Sequence, residues 1–356
     1  MIDQFQVVCN TAAGRRRYMQ YLIPQVIASD VVDRYDIWVN TVDKQDIEFF
    51  RILAAKFPKI NLIYQPEGVV NGIASINSFY RKCVEKDTIY FKLDDDIVWI
   101  ETGAIEKMVR FRVDNPHYFL VSPLVINNAL CTYILQSQSK IKLNGYYRAV
   151  AADEVLWRNS DFACQLHEWF LEKLKKGSYA DLHCGTYPIS MNRFSINAIL
   201  WFGSEMARFD GVVPGDDEEW LSCIRPTEIG ASNCFNADAL CSHFAFYPQR
   251  AALDEHNILE QYAEYLNREW EKDPKMKEIH RIVQEAMKTV EQNKEAILAQ
   301  PEIYQTVPQP KPSLFDKLGK IRLPYLTFRS IVQMKRQFRK KREKREMKRF
   351  TWISGA

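Results

Sequence analysis

Thr88-Ile-Tyr-Phe-Lys-Leu-Asp-Asp-Asp-Ile-Val-Trp99 carries an apolar, β-prone run directly into three consecutive carboxylates. Side chains alternate faces along a strand, so Asp94 and Asp96 point one way, one pleat apart, and Asp95 points the other. Carboxylates so crowded at a sheet edge call for a cation. Hard oxygen ligands suit Mg²⁺ or Mn²⁺, which complete their shells with water and phosphate oxygens. The bland alternative is a solvated acidic turn, and the buried character of the preceding strand weighs against it.

The surrounding segments place this strand in an α/β sheet. Met1 to Ile27 reads as a first strand containing Phe5, Val7 and Val8, a loop with Thr11, Gly14 and Arg15 to Arg17, then a helix. Tyr35 to Asn40 reads as a second strand leaving through Asn40-Thr-Val-Asp43. A helix from Asp46 to Lys56 returns the chain to a third strand, Asn61 to Tyr64, and Gly72, Ala74 and Asn77 open another helical segment. Strand and helix in alternation imply a largely parallel sheet whose ligands lie at the strand carboxyl ends.

A hydrophobic strand ending in Asp-x-Asp near residue 95 of such a chain resembles the metal-binding motif of GT-A-fold, nucleotide-sugar-dependent glycosyltransferases, family-2-like and of bacterial surface-polysaccharide type. The resemblance covers roughly Gln4 to Arg250. It implies a Rossmann-like, mostly parallel sheet flanked by helices, with a nucleoside-diphosphate sugar, a UDP-sugar first among the candidates, as donor. The first loop (Thr11, Arg15) would embrace the nucleotide, Asp43 would meet the base, and Asn77 would sit on the helix behind it. The metal, Mn²⁺ or Mg²⁺, would rest on Asp94 and Asp96. The triplet leaves open a register in which Asp95 is the ligand and Asp94 meets the ribose. The chain departs from the family wording in two places: the first loop lacks Pro-x-Tyr/Phe-Asn, and Asp43 is followed by Lys-Gln-Asp.

Two later stretches continue the resemblance. In Arg208-Phe-Asp-Gly-Val-Val-Pro-Gly-Asp-Asp-Glu-Glu-Trp-Leu221 an acidic pair opens a helical pattern, which is similar to the acceptor-side motif of inverting members. Asp217, or failing it Asp216, is then the general base, with Trp201, Phe202 and Gly203 shaping the acceptor pocket. Acids in a first turn also cap helices, and Asp216, Glu218 and Glu219 suit that role. In Cys241-Ser-His-Phe-Ala-Phe-Tyr-Pro-Gln-Arg250, His243 would join the metal, favouring Mn²⁺. Arg250 and the aromatics Phe244, Phe246 and Tyr247 would cover the diphosphate; Phe244 and Phe246 read equally well as core. The implied reaction moves a sugar to a hydroxyl of a glycan or lipid-linked acceptor, with inversion. The alternatives are a sugar nucleotidyltransferase, against which there is no Gly-rich phosphate loop with a Lys after the first strand, and a non-catalytic membrane-tethered scaffold on the same fold.

Composition bounds these readings. With 356 residues, 47% hydrophobic and 13% aromatic, the chain can bury a substantial core. No stretch reaches the roughly 18 apolar residues of a membrane span, and the N-terminus lacks a leader pattern, so the expected location is cytoplasmic. The eight cysteines form no Cys-x-x-Cys pair and read as reduced thiols; Cys234, Cys241 and His243 fit known zinc spacings poorly. Between Asn127 and Asn197 a helix from Ser160 or Asp161 to Lys176 is legible, and His167 and His183 read as structural.

The organisation expected is a catalytic domain over residues 1–250, with a nucleotide-sugar half over roughly 1–125 and an acceptor half over 126–250. A helical extension (251–300, with helices Glu255 to Lys272 and Pro274 to Ala299), a proline-rich linker (301–312) and a basic amphipathic tail (313–356) follow. Residues 335–349 contain ten Lys or Arg and two Glu, a net +8 against +3 for the whole chain. Apolar residues from Leu314 to Val332 precede that run. Such a tail suits an anionic membrane surface, each basic group contributing about 1 kcal/mol; a solvated helix or a nucleic-acid contact is disfavoured, the latter for want of a recognition motif. The protein is therefore expected to be peripheral on the inner face of the cytoplasmic membrane. Flotation with phosphatidylserine vesicles tests this: the full chain should float and a chain ending at Thr306 should not, and equal flotation refutes tail anchoring.

Overall fold

The computed structural model describes residues 2–70, 72–143, 149, 151 and 156–306; the basic tail and the second half of the linker, 307–312, lie outside them. Eleven strands occur among the described residues: β1 (Gln6–Ala13), β2 (Arg34–Val39), β3 (Ile60–Tyr64), β4 (Val69–Val70), β5 (Thr88–Leu93), β6 (Ile97–Ile100), β7 (Val121–Ile126), β8 (Thr186–Ile189), β9 (Ala198–Phe202), β10 (Asn233–His243) and β11 (Gln305–Thr306). Nine of them make one sheet in the order β3-β2-β1-β5-β9-β7-β10-β6, with β8 also on β10. β3, β2, β1 and β5 are mutually parallel, as are β7 and β10; β9, β6 and β8 run the other way. The mostly parallel, helix-flanked α/β sheet expected from the strand–helix alternation is what the chain adopts.

Burial explains the strand sequences. Every residue of β5 and β9 is buried, which gives continuous apolar runs rather than alternation, as in sheets covered on both faces. The carboxyl ends of β1, β2 and β5 lie side by side, with β1–β2 register from Val8↔Arg34 to Ala13↔Val39 and β1–β5 register from Gln6↔Thr88 to Asn10↔Lys92. β10 ends on the same edge at His243, where β6 pairs with it through His243↔Ile97.

Helix boundaries follow the capping chemistry. The helix Lys44–Lys56 starts two residues before the sequence reading because Asp43 caps it, accepting from the amides of Gln45 and Asp46. Asn159 caps Ser160–Lys175. After Arg250 come Ile258–Trp270 and Pro274–Gln292, the second with Asp273 as cap and proline at its first turn. Ile279, Val283, Ala286 and Val290 form its buried stripe. The helix read as far as Ala299 stops at Gln292 and resumes as Lys294–Leu298.

The linker reading needs correction at its start. Residues Met1–Val307 form one compact unit, and within it Tyr304 is buried, donating to the Val39 carbonyl at 2.9 Å and accepting from the Gln65 amide at 2.9 Å. Gln305 and Thr306 pair with Val69 and Val70. An aromatic that can fill a gap and satisfy two backbone groups pins the start of a segment whose proline content reads as a stiff, extended linker.

His167 is structural, as read, and holds the strand end that carries His243. Its Nε2 donates to the Phe244 carbonyl at 2.8 Å, so Nδ1 accepts from the Tyr262 hydroxyl at 3.0 Å, and Tyr262 lies 2.8 Å from Ser242 Oγ. Both ring nitrogens are thus committed in the neutral form. Burial pushes its pKa down to about 3 from 6.5. The unfolded chain binds this proton as pH falls through 6.5 while the folded protein does not, so stability declines on acidification, by about 2 kcal/mol at pH 5 relative to pH 7. Urea unfolding at both pH values should show that difference shrinking in His167→Gln; an unchanged difference rejects the assignment.

Candidate active site and metal centre

At the end of β5 the chain turns, with the Ile97 amide bonded to the Asp94 carbonyl at 3.1 Å. Asp94 to Asp96 therefore form a turn rather than a strand extension, and the pleat argument does not carry over to it: Arg15 Nη2 reaches both Asp95 and Asp96. Asp94, Asp96 and His243 each offer one ligand atom, and these atoms lie within 4.8 Å of one another. Asp95 faces away. It accepts from the Gly14 amide at 3.1 Å and from Arg15 Nε at 3.0 Å, with a second Arg15 contact through Nη2. Of the registers left open by the triplet, Asp94 with Asp96 is the one that gathers with His243.

The charges of these groups are set by neighbours from different elements. Burial alone would raise the Asp96 carboxyl, but His243, Arg15 and Arg250 outweigh it and hold the group below the ordinary carboxylate range. His243 Nε2 lies 3.3 Å from one oxygen of Asp96, and Arg15 Nη2 and Arg250 Nη2 lie 2.9 and 3.8 Å from the other. Asp95 is pushed up by burial, against the pull of Arg15. His243 Nδ1 points to the Asn127 carbonyl at 3.4 Å and Nε2 is turned to Asp96, so a metal would take Nε2 in place of that contact, with Nδ1 held by the carbonyl. Two carboxylates and an imidazole suit Mn²⁺ better than Mg²⁺. Among the described residues no other His, Cys, Asp or Glu group has metal-ligand spacing; Cys234 and Cys241 are buried free thiols.

Asp94 is held on both oxygens. Asn197 Nδ2 donates to one at 3.1 Å and Lys92 Nζ to the other, while Lys92 also reaches the Ile196 carbonyl at 3.2 Å. Asn197 in turn accepts from Asn128, which caps Ala129–Ser137.

The acidic stretch Asp216–Glu219 splits as its capping chemistry suggests. Asp216 is the cap, accepting from the Glu219 amide at 3.2 Å and pairing with Arg193 at 2.8 Å. Glu218 pairs with Arg193 at 2.9 Å. Asp217 instead is buried, 6% exposed, and accepts from the Tyr80 hydroxyl at 3.0 Å. Burial raises its pKa, with Lys92 and Tyr80 opposing and Asp94 adding to the rise. A carboxylate displaced upward in this way is suited to accept a proton. The turn before it is fixed by Asn77, whose Nδ2 donates to the carbonyls of Val213 and Gly215 at 2.8 and 2.9 Å. Gly211 adds a contact at φ +64°, where a Cβ would lie 2.5 Å from the Tyr80 carbonyl. A π-helical turn, Trp220–Ile224, follows directly, a distortion frequent at functional sites.

Other sequence candidates are placed differently. Thr11 lies within β1 rather than in the loop, fully buried, its hydroxyl 2.8 Å from that of Tyr35. Asn77 serves the Asp217 turn through its amide nitrogen, and Asp43 serves as a helix cap. Trp201 is core, stacked on Tyr90 and fully buried, so it does not line an acceptor pocket. Phe244 is buried beside Tyr18, whereas Tyr247 is 81% exposed and lies under Arg250. Arg15 Nη1 and Arg250 Nε are buried nitrogens with no hydrogen-bond partner. Sequence reasoning missed Lys92, Tyr80 and Asn197. Lys92 had a signal: a lysine inside an apolar strand, on the same face as Asp94 by the two-residue period. Tyr80 and Asn197 had none, because their partners are distant in the chain.

No family model matches the chain, and no curated protein matches it. Among solved structures it is similar to a CMP:2-keto-3-deoxy-manno-octonic acid synthetase complexed with CTP, at 10% identity over 73% of this chain and 100% of that one, TM-score 0.40. It is similar to 4-diphosphocytidyl-2C-methyl-D-erythritol synthase from Anaerococcus prevotii DSM 20548, at 8% identity over 74% and 99%, TM-score 0.40. Residues 1–349 of S. aureus TarS match at 9% identity over 82% of this chain and 92% of that one, TM-score 0.41. Likenesses at these scores assign neither family nor activity.

Proposed function

We propose that the chain is a metal-dependent glycosyltransferase that moves a sugar from a nucleoside-diphosphate donor, a UDP-sugar first among the candidates, to a hydroxyl of a glycan or lipid-linked acceptor, with inversion, in cell-surface polysaccharide synthesis. The observation that carries this reading is the gathering of Asp94, Asp96 and His243 at the carboxyl edge of the sheet. The buried Asp217 shares with them the Lys92 charge.

Asp94, Asp96 and His243 would hold Mn²⁺ or Mg²⁺, which supplies charge neutralisation for a leaving diphosphate. Arg15 and Arg250 bring two guanidinium groups to Asp96, and their unpartnered nitrogens suit phosphate oxygens. Asp217 takes the proton of the acceptor hydroxyl as its oxygen bonds to the anomeric carbon. The bond from that carbon to the diphosphate breaks, and the electron pair leaves with the nucleotide. Tyr80 aims the carboxylate by its hydrogen bond. Asp43, at the rim beside the first loop, is the candidate contact for the base.

The test is thermal stabilisation of the full-length protein by UDP, GDP, CDP and their common sugars, each with Mn²⁺, Mg²⁺ or EDTA. One nucleoside diphosphate should raise the melting temperature only with metal, and Asp96→Ala should lose that shift. Asp217→Asn should keep the shift while losing transfer by about 10²- to 10⁴-fold. Full activity in Asp217→Asn removes the base assignment. Pyrophosphate release from CTP or UTP with a sugar phosphate would instead favour nucleotidyl transfer, and no stabilisation by any nucleotide would favour the scaffold.

A further inference from the structure

Asn127 and Asn128 follow β7, which lies between β9 and β10 in the sheet. On one side β10 ends at His243, and on the other Asn197 stands just before β9. Both asparagines are fully buried, where a side-chain amide is costly unless its groups are paired. Asn128 pairs all of its own. Its oxygen caps the following helix, accepting from the amides of Leu130 and Cys131 at 3.1 and 3.3 Å, and its nitrogen donates to the Ser195 carbonyl and to Asn197 Oδ1, each at 2.9 Å. Asn197 in turn donates to Asp94 at 3.1 Å. Because the Asn197 oxygen is taken by Asn128, its nitrogen is the end offered to the carboxylate.

Asn127 faces a different ligand. Its side chain donates to the Phe244 carbonyl at 2.9 Å and to Gln249 Oε1 at 3.0 Å, and its own carbonyl lies 3.4 Å from His243 Nδ1. Its φ of +63° is left-handed, and of the six non-glycine residues with positive φ among the described residues it is the buried one. Such a conformation persists where the surroundings enforce it. Here the amide bonds to Phe244 and Gln249 do so, and they leave the carbonyl aimed at the imidazole.

We propose that Asn127 and Asn128 are positioning residues for the metal seat, Asn127 fixing His243 and Asn128 fixing Asp94 through Asn197. This rests on the reading of Asp94, Asp96 and His243 as that seat. Two ligands from distant parts of the chain are thereby referred to one dipeptide, between the end of β7 and the helix Ala129–Ser137.

The experiment measures Mn²⁺ binding to the full-length protein, with and without UDP, from the paramagnetic resonance signal of the free ion. Asn127→Ala and Asn128→Ser should each weaken binding by about 10- to 100-fold; serine keeps a helix cap while removing the donor to Asn197. Double-mutant cycles separate the two routes. With Asn197→Ala in place, Asn128→Ser should cost nothing further while Asn127→Ala costs its full factor, and with His243→Ala in place the pattern should reverse. A role confined to holding the fold gives equal costs in both backgrounds. That result, or an unchanged affinity in either single variant, overturns the proposal. Should Asn127→Ala not fold, Asn127→Gly, which adopts φ +63° freely while losing the amide, carries the same expectation. Should His243→Ala bind Mn²⁺ too weakly to measure, the Asn197→Ala background decides alone. Failure of the metal reading itself looks different: Asp96→Ala would leave Mn²⁺ binding intact, or the unmodified protein would bind none with or without UDP, and either result removes the proposal with it.

Discussion

Three carboxylates in succession at the end of a buried strand repel one another, and two of them, Asp95 and Asp96, are buried. Unpaired, they could not remain charged there. The fold answers by bringing a cation to each: Lys92 from β5 to Asp94, Arg15 from the loop after β1 to Asp95 and Asp96, and Arg250, with the His243 imidazole beside it, from beyond β10 to Asp96. Hydrophobic burial sets the order of the strands, but these pairs determine how their carboxyl ends meet. The first loop closes on the sheet edge because Asp95 takes both the Gly14 amide and the Arg15 guanidinium.

The same economy of parts joins the metal-ligand cluster's half of the chain to the turn that bears Asp217. The segment Gly72–Lys82 supplies Asn77 to the carbonyls of Val213 and Gly215 and Tyr80 to the carboxylate of Asp217, and its backbone leaves room only for a glycine at 211. A stretch that sequence alone assigns to the nucleotide side is thus the platform on which the turn bearing Asp217 rests. In the π-helical turn after Asp217, Trp220 and Leu221 enter the core while the preceding carboxylate stays hydrogen-bonded to Tyr80.

What the sequence disclosed and what it hid divide along the distance of the contacts. The strands, the Asp triplet, the cap at Asp216 and the pairing of His243 with that triplet follow from local periodicity and from a resemblance carried by short motifs. Thr11 was misplaced because β1 runs on to Ala13; a threonine three residues before a glycine reads as loop, and only the partner Tyr35 reveals it as core. Trp201 was misplaced because an aromatic beside a glycine fits a pocket wall as well as a central strand. The span taken for a linker was half-wrong for a similar reason: proline content signals an extended chain, and an extended chain can equally be a strand pinned by Tyr304.

The charge balance of the site bears on the order of binding under the proposed reading. Asp94, Asp95, Asp96 and Asp217 are answered by three permanent cations, Lys92, Arg15 and Arg250. A divalent ion entering alone meets carboxylates already partnered and guanidinium groups close by. A nucleoside diphosphate entering alone meets the buried carboxylates. Together they suit the site better than either does singly, because the diphosphate offers the arginines new acceptors and so frees Asp96 for the metal. Such mutual dependence is a coupling free energy, equal whichever ligand arrives first. It arises from the constraint that placed the cations there: three adjacent acids, two of them buried, cannot stay charged without counter-ions, and those counter-ions must move for a metal to take their place.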